Sequence, residues 1–278
     1  MSFSTDIKKE LSEINNLAKK EEVKYELLGY LQSDNIIKEK SKIKFSTESE
    51  YNINRFAKLL RNVEINDFKI EIQGKIYTIT IKSQYIDEFL KNVKWKSDKE
   101  ELNKAFTRGL FLGSGSINNP ENKYHLEIKI PYSEMIIKIV DMLKNYDVNV
   151  KKMDKSIYIK EGEEISKFLA FIGAGKSVLK FEEIRVQRHM NNKVNRLVNC
   201  KTANLNKTLN ASVEQINAIK RLKQSGKYNK IDKSLQELAE LRLEYPDLSL
   251  VELGKKLNTP LGKSGVNYRM KKIIELSK

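Results

Sequence analysis

Between residues 184 and 230 the sequence carries eleven cationic side chains, Arg185, Arg188, Lys193, Arg196, Lys201, Lys207, Lys220, Arg221, Lys223, Lys227 and Lys230, against the single acid Glu214. About two-thirds of a net charge of +15 therefore lies in about one-sixth of 278 residues. Such a segment neutralises a polyphosphate and releases its counterions. Asn191, Asn192, Asn195, Asn199, Asn204, Asn206 and Asn210 are interleaved with the cations. Their amides both donate and accept, which suits phosphate oxygens and base edges alike. A second group lies near the C-terminus, where Lys263, Ser264, Asn267, Tyr268, Arg269, Lys271 and Lys272 share a stretch with apolar Val266, Met270, Ile273 and Ile274. The apolar spacing of three and four predicts a helix from about 264 to 276 whose polar face is free to enter a major groove. Double-stranded DNA is the partner this chemistry selects, and Arg188, Lys193, Arg196, Asn199 and Lys207 join the seven helix residues as candidate contacts. A solvated Lys-rich connector is the competing reading of the basic segment.

Other chemistries have little to work with. One cysteine, Cys200, excludes an internal disulfide framework, and it leaves two histidines, His125 and His189, as the only further soft ligands for a metal. No metal and no cofactor are expected. The run Gly173-Ala-Gly175-Lys176-Ser177 imitates a nucleotide phosphate loop, but the first glycine of that pattern falls at Ala170 and a helical segment precedes it. His125 alternates with Tyr124 and Leu126 as a strand residue would, with no nucleophile placed beside it by spacing. The polar start predicts no signal peptide, and no apolar run approaches the roughly 18 residues of a spanning helix. A cytoplasmic, nucleoid-associated protein with no membrane partner is expected.

The elements that must position these groups fall into a duplication followed by a helical tail. An apolar segment at 25–34 is answered by one at 106–115, with Gly29 in the place of Gly109. After the first come an alternating stretch at 36–46, a helix at 51–62, a hairpin at 68–81 around Gln73-Gly74 and a helix at 85–93. After the second come a strand at 124–130, a helix at 133–146, strands at 148–152 and 156–160 and a helix at 163–172. Each half thus reads helix, hairpin, helix, hairpin, helix, and its sheet needs helices over one face. A glycine inside each leading helix costs roughly 1 kcal/mol against alanine, which close approach of the two backbones would compensate. In the tail, Leu235, Leu238, Ala239, Leu241 and Leu243 predict a helix stopping before Pro246. Ser249 and Glu252 have the spacing of a capping box for a helix at 250–257, and the turn 258–262 leads to the third helix.

The duplicated pattern resembles the LAGLIDADG homing endonuclease fold, whose two signature helices cross at a pseudo-twofold axis and end in metal-binding acids. Aligned by glycine, Leu27-Leu-Gly29-Tyr-Leu-Gln-Ser-Asp34 places Asp34 at the acidic position, while Thr107-Arg-Gly109-Leu-Phe-Leu-Gly-Ser114 places Ser114 there. A divalent ion held against scissile phosphates needs oxygen ligands from both halves. On this alignment Asp34 is vestigial, Ser114 replaces the second acid, and no catalytic residue remains.

Further segments resemble the WhiA family. They are Met1-Ser-Phe-Ser, the run 108–117 leading to Tyr124-His-Leu-Glu-Ile128, the run Asn195-Arg-Leu-Val-Asn-Cys-Lys-Thr-Ala-Asn204, and Leu261-Gly-Lys-Ser-Gly-Val-Asn-Tyr-Arg-Met-Lys-Lys272. The resemblance implies a bacterial DNA-binding transcriptional regulator with a degenerate endonuclease-like domain and a helix-turn-helix tail, associated with sporulation, cell division and chromosome segregation. The expected architecture is α+β, with a pseudo-twofold LAGLIDADG-like domain at 1–180, built of repeats at about 1–95 and 100–180. A basic helix and linker follow at 181–211, and an all-α helix-turn-helix domain at 212–278. The expected function is sequence-specific DNA binding without nuclease activity, with other regulatory proteins as a further class of partner. An active metal-dependent endonuclease and a protein-interaction scaffold are the alternatives.

Overall fold

The computed structural model describes residues 2–94 and 97–278. Met1 of the opening motif and Trp95 at the end of the first repeat lie outside them. The chain forms two compact units that meet in sequence at His189 and Met190, and each is described in turn.

The first unit opens with α1 (Phe3–Ser12), an element the sequence reading passed over. Phe3, Ile7 and Leu11 recur every fourth residue and are buried, while Ser2 caps the start by accepting from the Thr5 N–H. Two repeats follow in the expected order. The first runs α2 (Lys20–Leu31), β1 (Ile36–Lys38), β2 (Lys42–Thr47), α3 (Glu50–Asn62), β3 (Phe68–Gln73), β4 (Ile76–Lys82) and α4 (Ser83–Lys91). The second runs α5 (Glu100–Ser114), β5 (Gly115–Ile117), β6 (Leu126–Lys129), α6 (Ser133–Lys144), β7 (Lys151–Lys152), β8 (Ser156–Ile159) and α7 (Gly162–Ile172). Strand β5 lies where the sequence reading had only the end of a helix. Its first residue, Gly115, takes extended backbone directly after α5.

The antiparallel sheets share one topology, β1-β2-β4-β3 and β5-β6-β8-β7. Register places Phe45 opposite Ile79 and Ile43 opposite Ile81 in the first, and Leu126 opposite Ile159 and Ile128 opposite Ile157 in the second. These residues form the helix-covered faces, and all are buried. Alternation thus gives each sheet one apolar face, and burying it against helices is worth about 1.5–3 kcal/mol for each large side chain.

The halves join through α2 and α5. A Cβ at Gly29 would lie 2.0 Å from the Phe106 carbonyl oxygen, and one at Gly109 would lie 1.9 Å from that of Glu26. Only glycine lets the two backbones come this close. Around the crossing, Leu27, Leu28, Phe106, Leu110 and Phe111 fill the shared core.

Helix α8 (Gly175–Gln224) begins in the first unit and ends in the second. The stretch read as a helix and linker is helical throughout. The second unit is otherwise α9 (Lys233–Glu244), α10 (Leu250–Lys256) and α11 (Lys263–Leu276), preceded by a single 3₁₀ turn at Tyr228–Lys230. Ile219 and Leu222 of α8 pack with Leu235, Leu238, Leu253, Val266, Met270 and Ile273 into a separate small core. No helix among the described residues is long and apolar enough to cross a membrane.

Candidate nucleic-acid interface

Beneath the α2–α5 crossing, Glu26 is buried with Arg55 and Arg108. Arg55 donates from Nε to Glu26 Oε1 at 2.7 Å and from Nη2 to Oε2 at 2.9 Å, and Arg108 donates from Nε to Oε2 at 3.0 Å. Arg55 also donates from Nη1 to the Ile14 carbonyl and from Nη2 to Asn16 Oδ1, while Arg108 Nη1 reaches the Ile172 carbonyl. Burial pushes the Glu26 carboxyl up, but the Arg55 hydrogen bonds and the charges of Arg108 and Arg55 outweigh it and hold the group below its ordinary value. The ion cluster therefore ties α2, α3 and α5 to the segment that follows α1 and to the last residue of α7. Sequence reasoning missed it, because its members are 29 and 82 residues from Glu26 and no local spacing marks them.

At the ends of the paired helices, Asp34 is exposed and its backbone N–H donates to the Lys129 carbonyl. The Ser114 hydroxyl donates to the same carbonyl at 2.5 Å, and Asn35 Nδ2 donates to the Gly113 carbonyl at 2.7 Å. The serine at the second acidic position is thus spent on its own backbone. Glu127 on β6 faces His125 at 3.6 Å, and Asp87 is exposed on α4. No group of three or more His, Cys, Asp or Glu able to hold a metal exists among the described residues.

The run Gly173–Ser177 is the junction of two helices. Gly173 ends α7 in the left-handed conformation, φ 93°, which glycine adopts without strain. The N-terminus of α8 is filled by a carboxylate of the chain itself. Glu10 of α1 accepts from the N–H groups of Lys176 at 2.7 Å and Ser177 at 2.9 Å, and from the Ser177 hydroxyl at 2.5 Å. A phosphate has no room at a dipole end already neutralised in this way.

Along α8 every residue from 189 to 207 is exposed. At 100° per residue, Asn192, Asn195, Arg196, Asn199, Asn206 and Asn210 fall on one side of the helix. Met190, Val194, Leu197, Val198 and Leu205, each more than half exposed, fall on the other. Lys193, Arg196, Asn199 and Lys207 make no side-chain hydrogen bond or ion pair within the described residues. Arg188 is set apart, because its Nη1 donates to the Pro120 carbonyl at 2.6 Å and its guanidinium lies 4.4 Å from the centre of the Tyr124 ring. Cys200 is exposed, 3.8 Å from Asn204 Nδ2.

In the second unit the expected capping box is present. The Ser249 N–H donates to Glu252 Oε2 at 2.8 Å, and the Glu252 N–H donates to Ser249 Oγ at 3.3 Å. Gly254 lets the following turn fold back, since a Cβ there would lie 2.1 Å from the Leu261 carbonyl oxygen. Arg242, which the sequence reading passed over, is buried and donates from Nη1 to the carbonyls of Tyr245, Pro246 and Leu248, closing the corner between α9 and α10. These supports fix α11. Its residues Val266, Met270 and Ile273 face the core, and Lys263, Ser264, Asn267, Tyr268, Lys271 and Lys272 face outward. Those six side chains have no hydrogen-bond or ion-pair partner among the described residues. Arg269 is half-buried, its Nη1 3.5 Å from the Ser234 carbonyl oxygen.

Comparison with known proteins matches the WhiA LAGLIDADG-like domain to residues 29–104 and 103–191, and the WhiA C-terminal HTH domain to residues 194–277. A Clostridium botulinum protein named probable cell division protein WhiA is 46% identical over 182 residues, which are 64% of this chain and 58% of that protein. A Clostridium acetobutylicum protein of the same name is also 46% identical, over 64% of this chain and 57% of its own length. The match therefore spans less than two-thirds of these relatives. The crystal structure of full-length DUF199/WhiA from Thermatoga maritima covers 100% of this chain and 98% of its own, with a TM-score of 0.63 at 31% identity. The N-terminal LAGLIDADG domain of DUF199/WhiA superposes on 62% of the chain with a TM-score of 0.55 at 29% identity.

Proposed function

Because the chain belongs to the WhiA family, we propose that it is a sequence-specific, double-stranded-DNA-binding transcriptional regulator acting in cell division and, as the resemblance implies, in sporulation and chromosome segregation. One observation carries this reading. The outward face of α11 presents Lys263, Ser264, Asn267, Tyr268, Lys271 and Lys272 without partners among the described residues, on a helix whose opposite face is anchored in a core. Polar side chains held by a rigid element and left unsatisfied suit base-edge readout in a major groove. Arg269, half-buried midway along the helix, turns toward the Ser234 carbonyl of α9 and helps to position α11. The Asn and Arg side of α8, with Lys193, Arg196, Asn199 and Lys207, supplies sequence-independent phosphate contacts, and Arg188 contributes through the edge of the first unit. The protein works on the nucleoid in the cytoplasm, alongside other regulatory proteins.

On this proposal the endonuclease-like unit binds without cutting. The hydroxyl of Ser114 is directed to the Lys129 carbonyl, and among the described residues Asp34 belongs to no group of three or more side chains able to hold a divalent ion. Titration of labelled genomic fragments at several salt concentrations tests the reading. About six neutralised phosphates give a slope of log K against log salt near −5, and an affinity indifferent to salt would overturn it. Incubating the bound fragments with Mg²⁺ or Mn²⁺ leaves them intact. Metal-dependent breaks that vanish in Asp34→Asn would replace the regulator with a nuclease.

A further inference from the structure

We propose that a hydroxyl-lined cavity of about 450 Å³ in the first repeat, between the start of α1 and the turn from β2 into α3, binds a phosphate group on Lys8. The site is separate from the surfaces assigned to DNA readout and does not rest on that assignment.

Two helices begin on this cavity. Ser2, the cap of α1, and Ser49, the cap of α3, both line it, so the positive ends of two dipoles converge there. The hydroxyls around it are arranged as donors. Thr47 Oγ1 already accepts from the Ser49 N–H at 3.3 Å and from Asn52 Nδ2 at 3.4 Å, and Ser49 Oγ accepts from the Asn52 N–H at 3.3 Å. With their acceptor capacity engaged by the protein, the O–H hydrogens of Thr47 and Ser49 are left for an external acceptor. Lys8 is the cation of the set. It is half-buried, partial burial brings its pKa down to about 8, and its ammonium has no hydrogen bond or ion pair among the described residues. A half-buried ammonium on a cavity wall without a counter-charge is half of an ion pair, and an oxyanion completes it. Among the described residues of the lining Glu48 is the one acid, and it opposes the ligand. Tetrahedral oxygens on a doubly charged phosphoryl group satisfy a lysine, two hydroxyls and two helix starts together. The volume exceeds that of bare phosphate, so the group arrives on a larger body, either a free phosphorylated small molecule or a DNA strand.

The test uses the full chain with inorganic phosphate as the probe, followed by amide chemical shifts and by thermal unfolding against chloride at equal ionic strength. Phosphate is expected to shift resonances of residues 2–9 and 46–50 and to raise the unfolding temperature. Lys8→Met is expected to weaken phosphate at least tenfold without lowering the unfolding temperature of the free protein, and Glu48→Gln to tighten it. Duplex DNA titrated against the same variants identifies the source. Unchanged duplex affinity in Lys8→Met assigns the site to a free phosphorylated compound, whereas weaker duplex binding with a salt slope reduced by about one assigns it to a backbone phosphate. Perturbations confined to α8 and α11, or equal phosphate binding by Lys8→Met and wild type, would overturn the proposal.

Discussion

Arg55 and Arg108 in the first unit and Arg196 with Lys263 in the second are the same kind of side chain in opposite surroundings. The first two share one buried carboxylate with carbonyls of neighbouring segments. The second two are exposed and have no partner among the described residues. A cation in the interior holds the fold, because removing its counter-charge strands it in low dielectric. A cation at the surface without a partner contributes little to stability and is free to meet a phosphate. Burial and pairing, more than the count of positive charges, separate the cations that hold the fold from those left open to a partner, and Arg242 shows that the second unit also keeps an arginine for its own architecture.

Breaking the crossing that encloses the buried cluster has the largest expected effect. Gly29→Ala forces a Cβ into the Phe106 carbonyl, and the first unit should lose about 3 kcal/mol or more in urea denaturation, while α11 keeps its structure. A result below about 1 kcal/mol would show that the helices separate easily. Glu26→Gln should cost a comparable 3–5 kcal/mol by leaving two guanidiniums without a counter-charge. The same group gives the contrast a pH dependence. Its carboxyl lies below its ordinary value of 4.5 in the folded chain, so its contribution is complete above that pH and is lost as pH falls through the folded value. Urea midpoints between pH 7 and 3 should therefore drop for wild type, and the part due to this group should be missing from Glu26→Gln.

On the exposed side the effects move from stability to affinity. Asn267→Ala or Lys263→Ala should leave the unfolding temperature in place and weaken the preferred site by roughly 1–3 kcal/mol, with relaxed specificity in competition assays. Equal loss on specific and random DNA would move base readout off α11. The smallest effect is expected for Arg196→Ala and Lys207→Ala, which should weaken all sequences alike and lower the salt slope by about one for each cation removed.

Local rules made much of this legible. Repeat order followed from switches between alternating and helical apolar spacing, the Gly29 and Gly109 pairing from two glycines inside apolar helices, and the Ser249–Glu252 box from a three-residue offset. The polar face of α11 was readable because its apolar partners recur every three or four residues. The rest depends on meetings between distant residues. Glu26 reads locally as one more helical acid, and only the fold shows that Arg108 comes to it from 82 residues away. Helix α1 was hidden by charge, since Phe3, Ile7 and Leu11 are diluted among Asp6, Lys8, Lys9 and Glu10. The exposed apolar side of α8 was masked by the basic residues alternating with it.

Glu10 sets a clock on synthesis. Its carboxylate belongs to a helix made before either repeat, yet its donors, Lys176 and Ser177, are 166 and 167 residues further along. At 5–20 residues per second, roughly 10 to 30 s pass before that contact can form. Throughout that interval the apolar side of α1 has emerged while the start of α8 has not been made. The long helix that carries the basic surface therefore gains its cap only when both repeats are complete, so an unfinished first unit leaves the beginning of α8 uncapped.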